Sequence, residues 1–176
     1  IAQLGRLATT IDKVEKATTA SMQRRRRDPT LGGAPVGRFQ DGDQAIYGSS
    51  IGYVQRIDIN TLQAYAEEKG IRIIVAALPG AFSAPGRAIA YLTSSPGDLS
   101  EDDSKKIGGA FQIGNERTFD EDPRFGLIAL SEIASRALSP AVNDPGTAIA
   151  IIGKFVRLFA LWAEPIEEDD KKSIEY

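Results

Sequence analysis

Two Asp-Pro pairs, Asp122-Pro123 and Asp144-Pro145, open the two most apolar helical stretches of the chain in the same way. An Asp at a helix N-cap accepts a hydrogen bond from an orphan amide of the first turn, and Pro at the next position has no amide to leave unsatisfied. Each stretch also stops before a proline, at Ser139-Pro140 and at Glu164-Pro165, because the residue before proline is pushed out of helical geometry. A join of only residues 139–143 makes the two helices spatial neighbours. This paired punctuation constrains the fold more than any other feature: the C-terminal part must be a helical hairpin.

The first helix of the hairpin carries Leu127, Leu130, Ala134, Ala137 and Leu138 on one face, with Glu132 and Arg136 as an i,i+4 pair on another. The second is apolar round most of its circumference, and Lys154, Arg157 and Glu164 form a narrow polar stripe. A helix of that kind is central in a core or shared with another subunit, so a homo-oligomer is expected. Its most apolar run, residues 147–163, is interrupted by Lys154 and Arg157. It falls short of the roughly 20 residues a bilayer span needs, and no segment is expected to cross a membrane.

A chain of 176 residues is long enough for one domain with an appendage and a sizeable core. It contains no cysteine and no histidine. Disulfides and thiolate metal sites are thereby excluded, and the commonest general base and metal ligand is missing. The weight therefore falls on a non-enzymatic role. Residues 1–40 hold eight basic side chains against three acidic ones, which leaves −8 on the remainder of a chain whose net charge is −3. A basic head on an acidic body argues against a nucleic-acid-binding core and points the head at something anionic. The chain starts at Ile1 with no signal-peptide pattern, and is expected to be a piece of a longer one.

Residues 2–23 read as a helix from the spacing of Leu4, Leu7, Ile11, Val14 and Ala17. A linker follows over residues 24–37, beginning with Arg24, Arg25, Arg26 and Arg27. These arginines either face lipid headgroups, each contributing on the order of 1 kcal/mol near such a surface, or form a solvated charge run. Strands are expected at 45–48, 51–57, 71–78, 88–92 and 111–118, with a short helix at 60–69 closed by Gly70. Residues 94–97 read as a loop, and Ser100 with Asp103 as a capping-box start to a helix ending near Gly108-Gly109. The stretch from Pro79 to Leu92 resembles a turn of barrel-sandwich domains of the lipoyl type. Gly80 and Gly86 would be its turn residues, and Phe82 would plug the core. The lysine that such domains modify has no counterpart here. The fold class expected is α+β: a small β-barrel or sandwich-like sheet, then the helical hairpin, with an N-terminal helical arm. The corresponding divisions are 1–40, 41–163 and an acidic tail, 164–176.

Candidate site residues gather at the hairpin join. Asn143 and Asp144 could combine with Asp122, Asp120 or Glu121 to hold Mg²⁺ or Ca²⁺ in a hydrolase or transferase. The plainer reading has Asp144 capping its helix and Asn143 satisfying backbone groups. Ser139 as a nucleophile would need Lys154 or a carboxylate as its base. Arg117, Arg136 and Thr147 complete the candidate binding set, with structural ion pairing the plainer role for both arginines. No ligand is identified by these residues, and a small-molecule-binding module is a further alternative.

The stretch from Arg136 to Ala148, with its Leu-Ser-Pro, Asn-Asp-Pro and Thr-Ala elements, resembles the signature of a bacterial family of predicted integral membrane proteins, domain of unknown function 2254. Further blocks agree in order: Gly52-Tyr-Val-Gln55 with Ile57-Asp58, Pro79-Gly-Ala-Phe82, Arg117-Thr118 and Asp122-Pro-Arg-Phe-Gly126. Two departures stand out: Gly146 replaces a bulky aromatic, and the N-terminal helix lacks the family's histidines. The resemblance implies membrane spans preceding a soluble region of the bacterial inner membrane protein. That region would lie on the cytoplasmic side, as the arginine run also suggests. It would act in assembly, sensing or regulation of the membrane part, including transport.

Overall fold

The computed structural model describes residues 2–35, 43–93 and 100–165, with side chains from Gly5 onward. The loop expected at 94–97, Arg38, the side chain of Leu4 and the tail beyond Pro165 lie outside the described residues. In order the elements are α1 (Ala2–Arg27), β1 (Gln44–Tyr47), β2 (Gly52–Ile57), α2 (Ile59–Lys69), β3 (Arg72–Val75) and β4 (Phe82–Ser83). Then come β5 (Ala88–Thr93), α3 (Glu101–Gly109), β6 (Phe111–Gly114), α4 (Pro123–Ala137) and α5 (Pro145–Ala163). The chain divides into two compact units, Ile1–Pro29 with Phe119–Tyr176, and Thr30–Thr118. The N-terminal helix packs with the C-terminal hairpin in the first of these units.

The unit Thr30–Thr118 holds two open, three-stranded antiparallel sheets, in the orders β1-β5-β3 and β4-β2-β6. No closed barrel forms among the described residues. One apolar core joins the sheets and two helices, through Ile46 of β1, Val54 and Ile57 of β2, Ile89 and Leu92 of β5, Leu62 of α2 and Ile107 of α3. Val54 and Ile57 are an odd number of residues apart, yet both face inward. The register of β2 against β6 shifts between Val54 and Arg56, and such an irregularity moves the following residues to the other face. Gly80 and Gly86 take the left-handed backbone (φ 91° and 76°) that their turns need. Phe82 does not plug the core. The inward position of β4 belongs to Ser83, 1% exposed, whose hydroxyl donates to the Ser50 carbonyl, and Phe82 lies outside against Tyr53, ring centroids 5.0 Å apart. The Ser100–Asp103 capping box is present as expected. From its first turn Asp103 also accepts from the hydroxyl of Tyr65, tying α3 to α2.

In the other unit α1 runs antiparallel to α4 and parallel to α5. Gly126 of α4 lies against Thr18 of α1, whereas Lys154 and Arg157 of α5 meet Asp12 and Glu15, and Glu164 meets Arg26. Ile11 and Met22 of α1 pack against Leu130 of α4 and against Ile151 and Leu158 of α5. Each of these buried aliphatic side chains contributes roughly 1.5–3 kcal/mol. The helix of α1 continues through Arg24–Arg27 rather than stopping before them. Arginine is a good helix former, and cations complement the negative end of the helix dipole.

Candidate functional site

The hairpin join is built from its own polar atoms. The amides of Val142 and Asn143 both donate to the Ser139 carbonyl (3.0 and 2.8 Å), and the Asp144 amide donates to that of Ala137 (2.8 Å). Closing the turn this way puts Asn143 in the left-handed region at φ 45°, which Asn tolerates better than most residues. The Ser139 hydroxyl donates to the Arg136 carbonyl at 2.7 Å. Asp144 caps α5 with both oxygens: one accepts from the Thr147 amide at 3.1 Å, the other from its hydroxyl at 2.6 Å. The Thr147 hydroxyl, then its amide, hold the Asp144 carboxyl below its ordinary range. The structure thus brings Arg136, Ser139, Asn143, Asp144 and Thr147 into one turn, where all but the exposed Arg136 side chain make bonds local to it.

Asp122 is not part of this group. It caps the opposite end of α4, accepting from the Arg124 amide at 3.2 Å, and is 2% exposed. The 15 residues of α4 separate it from the join, roughly 22 Å of helix at 1.5 Å per residue. Asp122, Asn143 and Asp144 therefore cannot share one cation, and among the described residues no group of three or more carboxylates is placed to hold a metal ion. A Ser139–Lys154 dyad also fails. The ammonium of Lys154 is held by Asp12 at 2.5 Å and Glu15 at 2.7 Å, and these two carboxylates raise its pKa, Asp12 first.

The arginine run is engaged within its own unit. Arg24 donates to the Asp120 carbonyl, Arg25 to that of Glu121 at 2.9 Å, and Arg26 to that of Glu164 at 2.6 Å. Burial, and then Arg124, push the Arg25 guanidinium down from its ordinary value. Arg27 is exposed. Arg117 belongs to the sheet-bearing unit, where its guanidinium lies 6.0 Å from the centre of the Tyr53 ring. That unit also has a shallow hollow of about 620 Å³, bordered by Arg56, Asp58, Asn60 and Gln112.

The sequence leaves open whether α5 is central in a core or shared with another subunit, and the structure leaves its outer face uncovered. The helix has 19 residues, and by length and composition alone it is long and apolar enough to cross a membrane, which corrects the expected shortfall. Only 17% of its most apolar stretch is buried. Lys154 is largely buried against Asp12 and Glu15 of α1 and Arg157 pairs with Glu15 while staying exposed, and Ile149, Ile152, Val156, Phe159 and Trp162 are 47–68% exposed.

A match to the family described as "Predicted membrane protein (DUF2254)" extends over residues 1–174. The chain belongs to this family. Similar relatives are uncharacterized proteins of two Mycobacterium tuberculosis strains and of Mycobacterium bovis, each 30% identical over 122 residues. The alignment covers 68% of this chain and 23% of each relative, so the chain spans about a quarter of the length of the curated relatives it matches. No solved structure matches. Family membership agrees with the resemblance carried by the hairpin join and its accompanying blocks.

Proposed function

We propose that this chain is the soluble, cytoplasmic region of a bacterial inner-membrane protein, and that it assembles or regulates the membrane part rather than carrying a reaction. The observation that supports this most is α5, which turns its charges toward α1 and its large apolar side chains outward. A contiguous apolar face of that kind on a folded unit marks a surface to be covered. The hairpin join is the rigid corner that sets the direction of this face. Its polar atoms serve the backbone.

The test is made on the full-length natural protein. Membranes are washed with alkaline carbonate, and a reporter inserted within this region reads its side. Retention in the pellet with a cytoplasmic reporter is the expected result. Release into the supernatant, or a periplasmic reporter, refutes the reading. A second reading, small-molecule sensing, is favoured by the polar-rimmed hollow beside α2. It requires metabolite-dependent thermal stabilisation that Arg56→Ala abolishes.

A further inference from the structure

We infer that the outer face of α5 is the docking surface for a second copy of this chain, the two helices packing about a two-fold axis near Val156. The inference rests on the reading of the chain as an assembling region and names the partner. Ile149, Ile152, Val156, Phe159 and Trp162 follow one another at spacings of three and four, so they form one stripe. It runs for roughly 20 Å along the helix. Large side chains present roughly 150–250 Å² when free, so five at about half to two-thirds exposure offer on the order of 500 Å². Two such stripes facing each other remove about 1,000 Å² from water, the size at which a specific interface begins. The same area is at the upper end of what a monomer ordinarily leaves uncovered.

Charge selects the second copy over a lipid surface. Helices that lie on anionic bilayers carry lysines and arginines beside their apolar face. Here the cations of α5 are taken by Asp12 and Glu15. By sequence the whole unit carries thirteen basic and fourteen acidic side chains, so it is close to neutral and little repels a like copy. Nor can α5 cross a bilayer while paired with α1, whose exposed residues include Arg6, Lys13 and Lys16. A closed two-fold pairing uses the same patch on both partners, and an apolar stripe centred near Val156 is self-complementary.

The chain reports on this itself, because Trp162 is its only tryptophan and it has no cysteine. Sedimentation equilibrium of the intact chain at ~100 μM is expected to give twice the 18.9 kDa of one copy. Dilution is expected to shift Trp162 emission to the red. Val156→Glu, at a position 62% exposed, is expected to leave a monomer with the melting curve that the wild type shows once diluted to monomer. Should that variant misfold, Val156→Cys serves instead: it should form a disulfide-linked dimer under mild oxidation, while Glu132→Cys on the exposed side of α4 should not. A wild-type monomer at this concentration overturns the inference, as does a dimer that Val156→Glu leaves intact. A monomer that floats with phosphatidylcholine–phosphatidylglycerol vesicles overturns it in favour of lipid. Any of these results leaves the membrane fractionation to decide the proposed function separately.

Discussion

Gly126→Ala is expected to destabilise the helical unit, although alanine is the better helix former. A Cβ at position 126 would overlap the Thr18 hydroxyl and sit 2.7 Å from Thr18 Cβ and 2.9 Å from its Cγ2. The hydroxyl and methyl can rotate, but Cβ cannot leave its backbone. Carbon–carbon contact needs about 3.5–4.0 Å, so α1 and α4 must separate by roughly 1 Å. Thr18 is 1% exposed, so the separation opens the core around it. Overpacking of this severity costs about 3 kcal/mol. The helix-propensity gain of alanine over glycine returns about 1 kcal/mol. The net loss of about 2 kcal/mol corresponds to a fall of roughly 4–8 °C in Tm for a chain of this size. Urea unfolding followed by circular dichroism measures it. The swap Thr18→Gly with Gly126→Ala moves the gap from one helix to the other. It should be more stable than the sum of the single variants by at least about 1 kcal/mol. A Gly126→Ala protein as stable as wild type, or more so, would mean that helix propensity outweighs contact here and would refute the packing argument.

Three further expectations follow from the polar contacts. Asp103 is held well below its ordinary value of 3.8, first by the Tyr65 hydroxyl, then by Ser100, with Lys69 adding to them. A native value lowered in this way stabilises the fold above the ordinary value, and the contribution is lost as pH falls below about 4. Burial, and then Asp103, push Tyr65 from 10.0 up to about 12, so its neutral form stabilises the fold below pH 10 and that stability is lost between about 10 and 12. Urea midpoints across pH should show both limbs, and Tyr65→Phe should flatten them; unchanged limbs would show that the pair does not couple to folding. Adding millimolar Mg²⁺ or Ca²⁺ should leave the melting temperature unchanged, because both oxygens of Asp144 already accept from Thr147 and Asp122 lies a helix away. A shift that Asp144→Asn removes would contradict this. Lys154→Ala should cost about 1–2 kcal/mol, more than an exposed pair, since the Lys154 and Glu15 side chains are only 16% and 18% exposed. The loss should shrink in 1 M salt, and an equal loss at both ionic strengths would assign it to packing of the stem.

Local signals in the sequence were sufficient wherever a feature depends on residues close together. Asp122, Asp144, Ser100 and Gly70 mark helix ends through their own hydrogen bonds or backbone angle, and each sits where such a residue should. The grouping of Asp122 with Asp144 failed by simple length, since the helix that separates them was itself legible. Phe82 was misassigned for another reason. In a two-residue strand the alternation of faces has no pattern to fix its phase, and Gly48 leaves room only for the smaller of the two side chains.

The same limit, at larger scale, decides the reading of α5. Helical periodicity states which residues share a face; it does not state which face turns inward. Lys154 and Arg157 on one side and Ile149, Ile152, Val156, Phe159 and Trp162 on another would ordinarily be solvated and buried respectively. The turn of the helix is set by Asp12 and Glu15, more than a hundred residues upstream, which face Lys154 and Arg157 from α1. Once those pairs form, the apolar stripe has nowhere to point but outward. The cost of leaving it in water is a cost only for an isolated copy, because the same stripe stabilises whatever pairing covers it. Inverting the charges of Asp12 and Glu15 should therefore disturb the α1–α5 packing and the self-association together, whereas Val156→Glu should disturb only the second.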